Sequence, residues 1–236
     1  MAVNKLNLAY VRGIEDTAAI AEGLREYGCP ESDAYGFLDV GHSERGSSVW
    51  GQLVMAKESV INKLNRQKNI VEEQHIIKDV IVPWKIIDAG GGNGVLEVYA
   101  GGKRVFEHIS AAFAIALGEP LTIDVPDIDV FDKMKSLEQD VKKPIVKSAV
   151  IKNYAHTEGV NGVFRAKFNS TEAHDFIDQL PSGSVVESMT VKFFALDKKA
   201  SITIRNDSCY GFSCGEDDKM YVEGLIRELA GMAVKS

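Results

Sequence analysis

The sequence predicts an α+β fold of two similarly built halves. Each half would run strand, helix, antiparallel strands and closing helix, with the sheets covered by helices on one face. Three observations predict it. Short stretches of two-residue apolar alternation are interspersed with stretches of helical spacing. Turns of a few polar or glycine residues separate consecutive strands, as antiparallel hairpins require. Finally, residues 82–118 can be laid beside residues 191–231 with only small gaps, alike in pattern though sharing few identities.

Taken in order, "KLNLAYVRG" puts Leu6, Leu8 and Tyr10 on one face of a strand. Ile14, Ala18, Ala21 and Leu24 then recur at helical spacing, with Gly28 as C-cap. "AYGFLDVG" and "SSVWGQLVMAK" read as two strands about a polar turn, and Val60, Ile61, Leu64 and Ile70 suggest a helix reaching to about His75. "IIKDVIVPWKIID" reads as strand, with Pro83 at an edge or bulge. "GVLEVYAGGK" is a further strand turning at Gly101-Gly102, and "RVFEHISAAFAIALG" a helix ending at Gly118.

In the second half, "GVFRAKFN" alternates Val163, Arg165 and Lys167 with Phe164, Ala166 and Phe168. "STEAHDFIDQLP" is a helix with Asn169 as N-cap and Glu172 in capping-box position. Three strand-like segments follow, and Met220, Leu225, Ile226 and Leu229 stripe a last helix. The boundaries that result are an N-terminal half over 1–125 with a glycine-rich hairpin, a lysine-rich linker region over 126–160 and a C-terminal half over 161–236.

Composition bounds the function. Of 236 residues, 45% are hydrophobic and 26% charged, which is globular rather than disordered composition. No apolar run is long enough to cross a bilayer, and the opening lacks a signal peptide's apolar core, so a cytoplasmic protein is expected. Three cysteines make no disulfide framework, and Cys209 and Cys214 lack zinc-knuckle spacing. The five histidines are dispersed, so neither a metal nor another cofactor is expected. Asp217 and Asp218 with Glu216 fit the N-terminus of the last helix better than a cation site, and Asp127, Asp129 and Asp132 lack an EF-hand's glycine and terminal Glu.

The stretch "DAGGGNG" imitates a methyltransferase cofactor loop. Asp88, Gly90, Gly92 and Gly94 satisfy its need for a sharp turn and close backbone approach, and Asp124 stands where a ribose-binding acid would. A helix must then open directly, yet "VLEVYA" alternates and stops at twin glycines. Asp124 also lies 36 residues beyond Asp88, against about 20 in dinucleotide folds. A hairpin turn rich in residues that accept positive φ explains the stretch better.

The net charge is −7, yet lysines cluster locally. "KMKSLEQDVKKPIVKSAVIK" holds six between Lys133 and Lys152, and Lys57, Lys63, Arg66 and Lys68 form a second cluster. Solvated surface is the ordinary explanation of such clusters; a local field for a polyanion is the sharper one.

Three regions carry a resemblance to the RdgC family of recombination-associated DNA-binding proteins. They are "VNGVFRAKFNSTEAHDFIDQLPSGSVVESMTVKF" with the following "SITIRNDSCYGFSC", "NGVLEVYAGGKRVFEHISAAFAIALGEPLTIDVP", and "DDKMYVEGLIRELAGM". The chain is shorter than family members and lacks their aromatic opening. The resemblance implies a non-enzymatic, nucleoid-associated, ring-like homodimer that encircles double-stranded DNA without sequence preference. It would act in recombination or nucleoid structure, with a recombinase as a further partner. The residues expected to touch phosphate are Lys63, Arg66 and Lys68, and Lys142, Lys143 and Lys147 beside Pro144. The alternatives are an S-adenosylmethionine-dependent methyltransferase using the glycine loop, and a protein-interaction module of a phage or mobile element.

Overall fold

Apolar alternation governs more of this chain than helical periodicity does. A computed structural model describes residues 4–31, 33–43, 45, 47–65, 67, 70–157, 160–168 and 173–232. Among these are eleven strands, β1 to β11, and five α-helices, α1 to α5, with one short 3-10 turn. Every described strand register is antiparallel. The expected α+β fold of two like halves under helical cover is therefore corrected to a mostly antiparallel β architecture. The physical reason lies chiefly in residues 48–90, where β3 (Ser48–Asn65) and β4 (Ile70–Gly90) pair in unbroken register from Ser48↔Ile87 to Asn65↔Ile70. The helix expected to reach His75 is part of that hairpin.

The chain forms two compact units whose segments interleave in sequence. One comprises residues 1–11, 95–105 and 123–236, the other residues 12–94 and 106–122. Residues 126–160, expected as linker, hold helix α3 (Val130–Asp140) and the whole of strand β7 (Lys142–Thr157), both in the first unit.

In the second unit, α1 (Thr17–Tyr27) starts where Asp16 Oδ1 accepts hydrogen bonds from the amides of Ala18 and Ala19, at 2.8 and 3.2 Å. It ends at Gly28 with φ 63°, a conformation that suits glycine. Strand β2 (Tyr35–His42) pairs with β3, and β3 with β4. Inward alternation buries Val49, Leu53, Val82, Trp84 and Ile86. The rings of Phe37, Trp84 and Phe113 meet edge to face at 5.2–6.2 Å, tying the sheet to α2 (Arg104–Leu117). Past Met55 the register with β2 ends. The ribbon from Ala56 to Asp79 then carries exposed Val60, Leu64, Val71 and Ile77.

In the first unit the strand order is β5-β1-β11-β10-β9-β7-β8, with β6 (Thr122–Asp124) beside β1. These strands are β5 (Asn93–Val98), β1 (Asn4–Arg12), β11 (Cys209–Ser213), β10 (Lys198–Arg205), β9 (Val185–Ala195), β7 and β8 (Val160–Lys167). One side of them is apolar: Leu6, Leu8, Ala149, Met189, Val191, Phe193, Ile202, Ile204 and Phe212 join Met134 and Leu137 of α3 and Val222 and Ile226 of α5 (Lys219–Ala230). Asp129 fixes the start of α3, accepting from the amides of Phe131 and Asp132 at 2.9 and 3.0 Å. Helix α4 spans Ala173–Asp178; its expected capping residues Asn169 and Glu172 lie outside the described residues. Among the described residues, no helix is long and apolar enough to cross a membrane.

Candidate nucleic-acid interface

Because side chains alternate across a strand, the same registers that send apolar residues into the first unit's core send a different set outward. One hydrogen-bonded row reads Lys167, Ser148, Thr190, Thr203, Gly211 and Lys5 across β8, β7, β9, β10, β11 and β1. At about 4.8 Å between neighbouring strands it spans roughly 24 Å. Beside it lies the row Arg165, Val150, Ser188, Arg205, and on the other side Ile145, Lys192, Ser201, Ser213. A further row reads Lys142, Phe194, Lys199. These rows contain cations, hydroxyls and a few apolar residues, and no carboxylate.

The side chains of this face reach water. Lys5, Lys142, Lys143, Arg165, Lys167, Lys192 and Lys199 are exposed, and Lys147 is half-buried. Within the unit, carboxylates off the rows pair with cations, among them Glu187 with Lys152 at 2.8 Å, Asp217 with Lys198 at 2.8 Å, and Asp207 through two contacts of 3.0 Å with Arg205, which itself stands in a row. The Thr190 and Thr203 hydroxyls share a hydrogen bond of 2.9 Å at the middle of the face.

The lower rows form a concavity of about 440 Å3 lined by Lys143, Lys147, Lys192 and Lys199, with Ile145 and Phe194 among its apolar walls. Lys143 reaches it through a local irregularity. The register between β7 and β9 shifts between Lys142 and Ile145, and Lys143 takes φ 52°. Its ammonium stands 5.6 Å from the centroid of the Phe194 ring.

Of the six phosphate-contacting residues expected from the sequence, Lys142, Lys143 and Lys147 come together on β7, on or beside this face. Lys63 lies on the β3–β4 ribbon of the other unit, exposed, and on a strand rather than the expected helix. Arg66 and Lys68 lie outside the described residues. Sequence reasoning missed Lys192 and Lys199, and with them Lys5, Arg165 and Lys167. The signal was clear for Lys192, which stands between buried Val191 and Phe193, and weaker for the others, each of which has one buried chain neighbour: Leu6 beside Lys5, Ala166 between Arg165 and Lys167, and Ala200 beside Lys199.

The glycine stretch leads from β4 straight into β5 through Gly91 and Gly92. Gly90, Gly91 and Gly92 have φ of 88°, 65° and 73°, a run that side chains with a Cβ rarely adopt. Asp88 Oδ1 accepts from the Gly90 amide at 2.7 Å, and the Gly92 carbonyl accepts from the amides of Gly13 and Ile14 at 2.9 and 3.2 Å. These polar groups are thus spent on the turn itself and on the chain at Gly13 and Ile14, and a strand begins at Asn93.

Among the described residues, no group of three or more His, Cys, Asp or Glu is placed to hold a metal ion. Glu216, Asp217 and Asp218 form the 3-10 turn that leads into α5. Cys209 and Cys214 are separated by the extended strand β11, roughly 17 Å at strand rise, too far for the roughly 6 Å between disulfide-bonded Cα atoms. Burial pushes both thiols up, which weakens them as nucleophiles.

No protein-family model matches the chain, and neither does any curated protein sequence.

Proposed function

We propose that the cationic face of the first unit binds the backbone of double-stranded DNA without sequence preference. The observation that carries this is the set of carboxylate-free rows, in which Lys5, Lys142, Arg165, Lys167, Lys192 and Lys199 share one face of six strands. A chain of net charge −7 that keeps its acids off one face sets up a local field suited to phosphates. Hydroxyls between the cations supply neutral donors to phosphate oxygens, and five of the six cations are lysines, which meet phosphates as point charges. A ring-like homodimer and a role in recombination or nucleoid structure, with a recombinase as partner and the nucleoid as location, belong to the same proposal.

The methyltransferase alternative draws no support from a loop that runs into a strand. The protein-interaction alternative is what remains if no nucleic acid binds.

The test is fluorescence anisotropy of a labelled duplex of arbitrary sequence over a series of salt concentrations. About six phosphate contacts give log K falling with log salt at a slope near −5. Lys192→Glu with Lys199→Glu, both exposed, is expected to reduce that slope by about 2 in magnitude. Absence of binding at low salt refutes the proposal.

A further inference from the structure

The concavity around Phe194 does not follow from phosphate binding alone. A fully paired duplex offers a protein surface its phosphates and sugars, with its bases stacked inside. Against such a ligand an apolar hollow in a cationic face has nothing to receive. The hollow's volume of about 440 Å3 falls in the range of ligand sites, roughly 300–1,000 Å3. It is lined by the apolar Ile145, Phe194 and Ala200, by Lys143, Lys147, Lys192 and Lys199, and by Ser201 and Ser213. Apolar side chains, an aromatic ring among them, and four lysines in one hollow match a single nucleotide in which a base is flanked by its own phosphates.

We propose that this concavity captures one unpaired base, stacked on Phe194, with the adjoining phosphates held by the four lysines. The proposal rests on the DNA-binding reading of the same face. Lys143 shows from which side the ring can be approached, since its ammonium already stands 5.6 Å from the ring centroid. An arriving base takes that side of the ring, and the displaced ammonium is left beside the phosphate that the base brings with it. Stacking of a base on an aromatic side chain tolerates any sequence, because every base has a π face. The protein would thus prefer DNA with an extrahelical or frayed base over a perfect duplex while reading no sequence.

The experiment uses the full chain and three labelled duplexes of one sequence: fully paired, with a single extrahelical thymine, and with an extrahelical abasic residue in its place. The abasic duplex keeps the extra phosphate and the bend but lacks the base. The thymine duplex is expected to bind about 5- to 100-fold more tightly than the abasic one. Phe194→Leu should abolish that preference, so that the thymine and abasic duplexes bind alike. In the unaltered protein, an extrahelical 5-iodouracil should crosslink on irradiation to the β9 peptide that contains Phe194. Equal affinity for the thymine and abasic duplexes overturns the proposal, as does a crosslink confined to other peptides. If the paired duplex binds with the expected salt slope and the thymine adds nothing, only the base site falls. If none of the three binds at low salt, the DNA-binding reading falls with it.

Discussion

Glu97 is fully buried on β5, and Arg227 of α5 reaches it with two guanidinium nitrogens: Nε donates to Oε1, and Nη2 donates to Oε2 at 3.1 Å. Tyr99 donates a further hydrogen bond to Oε2 at 3.3 Å. A buried carboxylate is tolerable only with such partners, and removing one of them strands a charge in the core. Arg227→Met is therefore expected to cost about 3–5 kcal/mol in urea unfolding, most of it recovered when Glu97→Leu is added. Glu223, whose Oε2 lies 3.7 Å from Arg227 Nη2, has its carboxyl pushed up by burial, against the pull of Arg227. A raised folded value means that the unfolded chain releases this proton first. Stability contributed by the protonated form is therefore lost as pH rises from the usual carboxylate range, near 4.3, through the raised value. Unfolding midpoints measured across that window should flatten with pH in Glu223→Gln. Such pairs are illegible in sequence, since 130 residues separate Glu97 from Arg227. Local chemistry was readable: Gly28 and the turn glycines announce their positive φ, whereas the N-cap role of Asp129 was hidden in a stretch that read as linker.

At the level of elements, the segment from Lys57 to His75 shows why periodicity failed. Val60, Ile61 and Leu64 have helical spacing, but a ribbon exposed on both faces imposes no inward alternation, so its sequence carries no period of two to read. Pairing with β4 decides its conformation. Because the ribbon buries so little, replacing residues 57–78 by Asn-Gly, which joins the opposed pair Ala56 and Asp79 by a two-residue turn, should leave the thermal midpoint within about 3 °C. A fall of roughly 10 °C would mean that the ribbon supports the second unit. The same variant removes Lys63, Arg66 and Lys68, so an unchanged salt slope would confine phosphate contact to the first unit. Elements anchored in a core were legible. β1, α1, α2, β9, β10 and α5 fall where alternation or helical spacing puts them, because burial on one side writes its period into the sequence.

Across the whole molecule, the lysine cluster at Lys142, Lys143 and Lys147 was visible as a run, but the face it belongs to was not. Lys192, Lys199 and Lys167 are scattered along the chain and join that face only through registers that no single segment reveals. If two copies close around a duplex, twice the number of phosphates are neutralised. The salt slope is then expected near −10 rather than −5, and sedimentation equilibrium should return twice the 25.8 kDa chain mass. A slope near −5 with a monomeric mass would leave the cationic face and remove the ring.

The interleaving of the two units sets an order of events during synthesis. Strand β1 finds its antiparallel neighbour in β11, with Leu6 opposite Tyr210, so 204 residues must be made between the two halves of that pair. At roughly 5–20 residues per second, β1 can meet β5 and β6 once residue 124 is made, but its edge towards β11 stays open for about 10–40 s. The other unit is complete once residue 122 has emerged. That unit can therefore close while the strands destined for the cationic face are still being translated, leaving β1, with its apolar Leu6 and Leu8, as the stretch that chaperones would meet first.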